Sequence, residues 1–243
     1  MDRLLDGRVA FISGAGSGLG RATARLFAAE GAALVLLGRR IGRLEEAVRD
    51  VAPADRLLTI ACDIGDFRSV QDAVARGLKR FGQIDILVNS AAILPPRGAL
   101  VRTTPDEWDR AFATNVSGAF YLMREVLPAM ESAGYGRIIN VTSGWSCDGA
   151  PGYAVYAATK AALDSLTRSL AGELAGSGVD ILVNALSPGV MRSDMWPEGR
   201  DPEEVAMWPD VRDPEEVAPD LLRLATLPTG GFSGRIVRHG EPW

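Results

Sequence analysis

The chain has 243 residues, 47% of them hydrophobic and 23% charged, long enough to bury an α/β core in one domain. Twenty-six basic against thirty-one acidic residues give a formal net charge of -5 with no basic block, which argues against a nucleic-acid partner. Cys62 and Cys147 are the only cysteines and His239 the only histidine, which excludes a disulfide framework and a His/Cys metal site. Unless His239 folds back into a site, Ser-His-Asp and Cys-His catalysis are excluded too, and acid–base chemistry falls to Tyr, Lys and carboxylates.

From the amino-terminal end, "MDRLLDGRVAFISGAG" holds no long apolar stretch before a cleavage site, and no later segment approaches the roughly 18 apolar residues of a membrane span. A soluble, cytoplasmic protein is expected. The first strand runs over Val9 to Ile12, followed by "SGAGSGLG" at Ser13 to Gly20 and a helix over Gly20 to Glu30. Glycines in a first strand-to-helix turn let a pyrophosphate approach the backbone and aim the helix N-terminus at its charge.

The second strand, Ala33 to Leu37, ends in "LLGRR". An NAD site commonly has an acid here for the ribose 2′-hydroxyl, whereas arginine suits a 2′-phosphate, so Arg39 and Arg40 point to NADP(H). The alternative is that both are solvated charges at the start of the next helix, Ile41 to Val51, and the glycine loop itself has no basic residue. The third strand, Leu57 to Cys62, delivers Asp63 either to an adenine or to a turn.

A helix over Phe67 to Phe81, a strand over Ile84 to Asn89, a long helical pattern over Thr104 to Ala133 and a strand over Arg137 to Thr142 follow. In the helix Tyr156 to Leu174, Tyr156 and Lys160 are four residues apart, in line with Leu163, Thr167, Leu170 and Leu174 on the inward stripe. A lysine there is either snorkelling or functional. Strands at Ile181 to Ala185 and Arg235 to Val237 complete the alternation, with "DPEEVA" at Asp201 to Ala206 and again at Asp213 to Ala218 as two helix openings. Apolar strands alternating with helices predict a single-domain, doubly wound, mostly parallel seven-stranded sheet with helices on both faces, a Rossmann fold over 1–243.

Together these residues resemble the short-chain dehydrogenase/reductase family over nearly the whole chain. "SGAGSGLG" matches its Thr-Gly-x-x-x-Gly-x-Gly, "VNSAA" its Asn-Asn-Ala-Gly, and "SPGVMRSDM" its Pro-Gly region. Asn115 in "FATNVSGAF", Ser143 in "NVTSG", Tyr156 and Lys160 stand in the family order, with Ser143 thirteen residues before Tyr156. Ser13 replaces threonine, Ser90 and Ala92 depart from the Asn-Asn-Ala-Gly pattern, and "GGFSGRIVRHGEPW" lacks an Asp-Gly-Gly ending.

The resemblance implies Tyr156 as general acid in reduction and base in oxidation, and Ser143 as donor to the substrate oxygen. Lys160 would lower the tyrosine pKa and bond the nicotinamide ribose, and Asn115 would hold a water linking Lys160 to solvent. Lowering a phenol from about 10 to about 7 takes roughly 4 kcal/mol. An ammonium about 5 Å away supplies roughly 3 kcal/mol at an effective dielectric of about 20. The dinucleotide is expected on Ser13, Gly14, Ser17, Gly18, Leu19, Gly20, Arg39, Arg40, Asp63, Ile64, Asn89, Tyr156, Lys160, Pro188, Gly189, Val190 and Ser193.

Ile93, Leu94, Trp145, Tyr153, Met195 and Trp196 are expected around the substrate, within reach of a covering segment at 190–218. Met195, Trp196, Met207 and Trp208 form either an apolar lid or a subunit contact. The expected activity is NADP(H)-dependent interconversion of a carbonyl and a secondary alcohol on an apolar or aromatic small molecule. An NAD-dependent alcohol dehydrogenase and a non-catalytic NAD(P)-sensing protein are the alternatives. The resemblance also implies a homodimer or homotetramer through Thr104 to Ala133 and Tyr156 to Leu174.

Overall fold

The computed structural model describes residues 3–51, 53–195 and 211–243. Seven strands form one sheet in the order β3-β2-β1-β4-β5-β6-β7, every neighbouring pair parallel. They are β1 (Val9–Ser13), β2 (Ala33–Gly38), β3 (Leu57–Ala61), β4 (Ile86–Asn89), β5 (Tyr135–Val141), β6 (Asp180–Ser187) and β7 (Ile236–Arg238). The helices are α1 (Gly18–Ala29), α2 (Ile41–Val48), α3 (Phe67–Phe81), α4 (Pro105–Phe112), α5 (Gly118–Ala133), α6 (Trp145–Asp148), α7 (Ala154–Leu174) and α8 (Pro214–Ala225). The predicted doubly wound, single-domain α/β fold is the one observed, and no described helix is long and apolar enough to cross a membrane.

Alternation along the central strands splits the core into two layers. Ala10 and Ile12 of β1, with Leu34 and Leu36 of β2, face the layer of α1, α2 and α8, where Phe27, Leu44, Val217 and Leu221 pack. Val9, Phe11, Val35 and Leu37 face the layer of α3, α5 and α7 and meet Val74, Leu122 and Leu163. Both faces are covered, so the strands read as unbroken apolar runs. Phe11 presses so close on α3 that a Cβ on Gly77 would lie 2.1 Å from its ring.

Three departures from the sequence reading concern helices. The pattern Thr104 to Ala133 is not one uniform helix: Ala113–Ser117 forms a π-helical turn between α4 and α5, with Asn115 buried at its centre. The short helix α6 was not anticipated, because four residues are too few for a period to register. Helix α7 begins at Ala154, two residues ahead of Tyr156. The second "DPEEVA" opens α8 as expected, with the Asp213 N–H donating to Glu216 Oε1 at 3.3 Å; the first lies outside the described residues.

Candidate active site

Strand order reverses between β1 and β4, and a cleft of about 530 Å³ opens at their carboxyl ends. One lip is the glycine loop. Gly14 has φ +70°, and a Cβ on it would lie 2.8 Å from the Ala91 backbone, so only glycine lets the β1 and β4 exits meet this closely. Ser13 stands behind this lip rather than in the cleft: its Oγ accepts from the Ser90 and Ala91 N–H groups at 3.1 and 3.2 Å.

Ser17 is the N-cap of α1, yet its side chain makes no capping hydrogen bond, whereas Asp66 and Thr104 cap α3 and α4 with theirs. The first N–H groups of α1 therefore face the cleft without a side-chain partner, at the positive end of the helix dipole. This is where a pyrophosphate would bind, and the residues fit a dinucleotide. Gly14, Ser17, Gly18 and Leu19 line the cleft, while Gly20 lies behind it, where a Cβ would strike Gly14 O at 2.4 Å.

The far end of the cleft is cationic. Arg39 and Arg40 line it, and so does Arg43, which the sequence reading passed over although it follows Arg40 by one turn. Arg43 Nη1 lies 3.9 Å from Asp194 Oδ2, tying α2 to the segment after β6. Asp63 and Ile64 line the wall between. Asp63 also makes the turn that was its other reading, since its Oδ1 accepts from Gly65 N–H at 3.0 Å. Asn89 is placed elsewhere: it is buried, its Nδ2 donating to Asn140 Oδ1 at 2.9 Å, so it braces β4 against β5 away from the cleft. Pro188, Gly189, Val190 and Ser193 close the opposite lip, with Ser193 beside Gly18.

Ser143, Tyr156 and Lys160 all line the same cleft. Ser143 lies two residues past the end of β5, where its Oγ accepts from the Trp145 N–H at 3.3 Å. Lys160 is 2% exposed and donates to Val141 O at 2.8 Å, with Nζ 5.5 Å from the centre of the Tyr156 ring. Burial lowers Lys160 to about 8, opposed by the charge of Asp164. Burial pushes the Tyr156 phenol above its ordinary value. The ammonium lies toward the ring and the β5 carbonyl, and desolvation is what raises the phenol.

Asn115 is buried in the π turn. Its Oδ1 accepts from Ile93 N–H at 2.8 Å, and its Nδ2 donates to Ile93 O at 2.9 Å and Thr159 Oγ1 at 3.1 Å. The side chain anchors the loop after β4. Ile93, Leu94, Trp145 and Met195 line the cleft around the catalytic candidates. Tyr153 stands behind Trp145, stacked on it at 4.9 Å, while Trp145 meets the Tyr156 ring edge-on at 5.9 Å. Trp196, Met207 and Trp208 lie outside the described residues. His239 is remote from this chemistry, its Nδ1 2.6 Å from Asp220 Oδ2 of α8.

A nucleotide-binding cleft at the switch point, with a tyrosine and a buried lysine on its wall, defines an NAD(P)-binding oxidoreductase of the Rossmann type. The chain belongs to the short-chain dehydrogenase family, whose model matches residues 8–204. It is 39% identical to a sorbitol dehydrogenase of Cereibacter sphaeroides over 193 residues, 79% of this chain and 73% of that one. It is 40% identical to a 2-(R)-hydroxypropyl-CoM dehydrogenase of Xanthobacter autotrophicus over 204 residues, covering 80% and 81% of the two chains. Its fold superposes with TM-score 0.87 on a 3-ketoacyl-(acyl-carrier-protein) reductase from Brucella melitensis complexed with NADH, at 31% identity over 97% of each chain. This protein is accordingly an oxidoreductase acting on CH-OH or carbonyl groups.

Proposed function

We propose that the protein is an NADP(H)-dependent oxidoreductase that interconverts a carbonyl and a secondary alcohol on an apolar or aromatic small molecule. The observation that carries this reading is the convergence of Ser143, Tyr156 and Lys160 on one cleft with the uncapped N-terminus of α1. A nicotinamide dinucleotide bound there would supply hydride in reduction and accept it in oxidation. Tyr156 gives its proton to the substrate oxygen in reduction and takes it back in oxidation. Ser143 donates to that oxygen where charge develops. Lys160, held at Val141 O, offers its remaining N–H donors to the cofactor ribose and its charge to the phenolate.

Three arginines at the adenosine end support NADP(H), and Arg43 strengthens the sequence reading. NAD(H) is the second reading, favoured by the neighbouring structure solved with NADH. Trp145, Ile93, Leu94 and Met195 support an apolar substrate. We also propose a homodimer or homotetramer through α4, α5 and α7, where Trp108 and Phe120 are 41% and 43% exposed; sedimentation of a monomer alone would refute it.

The test follows absorbance at 340 nm with NADPH and NADH against apolar, aromatic and polyol carbonyls. Tyr156→Phe is expected to lower turnover by about 10²-fold or more while dinucleotide binding persists. Arg39→Asp is expected to shift preference toward NADH. Undiminished turnover in Tyr156→Phe would overturn the mechanism, and binding without turnover across a broad panel would favour a sensor.

A further inference from the structure

Helix α7 carries a third ionisable side chain in line with the two already described. Tyr156, Lys160 and Asp164 follow at four-residue spacing, which places them one above another with a rise of about 6 Å per step. Asp164 is 3% exposed. Its Oδ2 accepts a hydrogen bond from Ser146 Oγ of α6 at 2.5 Å, while its Oδ1 is buried with no hydrogen-bond partner among the described residues. Asp164 does not line the cleft, so substrate and cofactor do not explain it. A carboxylate so enclosed and half unsatisfied is costly unless a positive charge offsets it.

Lys160, one turn away, is that charge. Burial and the charge of Asp164 act on Lys160 in opposite directions. Around the pair, β5 presents Val141 to Lys160, α6 presents Ser146 to Asp164 with Cys147 beside it, and Asn115 of the π turn bonds Thr159, next to Lys160 in the chain. Cys147 is exposed. The charged residues on the elements packed against α7 are Asp148 of α6, Arg137 of β5, Asp180 of β6 and Asp106, Glu107, Asp109 and Arg110 of α4.

We infer that Asp164 is a positioning residue of the proton-transfer set, the buried counter-charge that keeps Lys160 an ammonium, with Ser146 holding the carboxylate in place. The inference rests on reading Lys160 as the partner of Tyr156. Remove the carboxylate, and Lys160 gives up its proton at lower pH. The phenolate then loses its nearby charge, and the acid limb of alcohol oxidation, where Tyr156 must give up its proton, moves to higher pH. Tyr156 lies two turns from Asp164, so the direct effect of that carboxylate on the phenol is the smaller one.

The chain has two lysines, buried Lys160 and exposed Lys79, so ¹³Cε-lysine NMR resolves Lys160 with an internal reference. In Asp164→Asn the Lys160 midpoint is expected to fall by about one pH unit or more while Lys79 stays fixed. Asp164→Glu is expected to restore it, and Asp164→Ser to reproduce the fall should the Asn protein not fold. Ser146→Ala, which keeps the charge, is expected to leave the midpoint in place. An unmoved Lys160 in Asp164→Asn would overturn the inference, as would an equal shift in Ser146→Ala. Turnover surviving in Tyr156→Phe would instead overturn the catalytic reading, and the lysine titration would still stand.

Discussion

Lys160 makes the pH dependence of stability a residue-scale question. Its ordinary value is 10.5 and burial brings it to about 8, so between these values the unfolded chain binds more protons than the folded one. Stability contributed by this group therefore rises with pH across that interval. Cys62 and Tyr156 are raised by burial from 9.0 and 10.0 and act in the opposite sense above those values. Urea unfolding of the wild type is expected to strengthen from about pH 8 to pH 9, and this rise should vanish in Lys160→Met. The sequence made the tyrosine–lysine pair legible because helical spacing forces both onto the inward face. It did not reveal that Lys160 is held by a β5 carbonyl, because that contact crosses between elements; Asp164, by contrast, continues the same four-residue spacing along α7 and was passed over.

The α4–π–α5 unit carries the next lesson. Periodicity placed a helix over Thr104 to Ala133, and the Thr104–Glu107 capping box starts it where expected. The π turn leaves no mark in a 3.6-residue pattern, yet it seats Asn115 against Ile93 and Thr159. Asn115→Ala would strand both backbone groups of Ile93 without partners. A loss of about 3 kcal/mol of stability is expected from urea unfolding, with a fall in turnover because Ile93 lines the cleft. The glycine loop and arginines were legible by contrast, since their chemistry depends on sequence neighbours along one strand-to-helix turn. Asn89 and Ser13 were read as cofactor contacts from the same motifs. Their side chains instead serve the strands, which only the register of β1, β4 and β5 decides.

At the scale of the whole molecule, one buried cation braces the sheet near its amino-terminal edge. Arg137 is 1% exposed, pairs with Asp180 at 3.0 Å and also donates to Leu227 O and Asp180 O. Burial alone would raise Asp180, but hydrogen bonds from Arg137 and Thr229 and the charges of Arg137 and Arg8 hold it below its ordinary value. Its stabilisation is present above the unfolded value of about 3.9 and is lost as pH falls through the folded one. Arg137→Met is expected to cost roughly 3 kcal/mol at neutral pH and to flatten this acid-side loss, measurable by urea unfolding at stepped pH.

The strand order has a kinetic corollary. In sequence, β2 and β3 come between β1 and β4, although β1 and β4 are neighbours in the sheet. The crevice where they meet therefore cannot exist until a loop containing β2, α2, β3 and α3 has closed, and long-range parallel pairing of this kind forms slowly. Chain collapse and the first βαβ unit can proceed with no nucleotide site present. In stopped-flow refolding, energy transfer from tryptophan to NADPH should appear only in the slowest phase, and early phases should run at the same rate with or without dinucleotide.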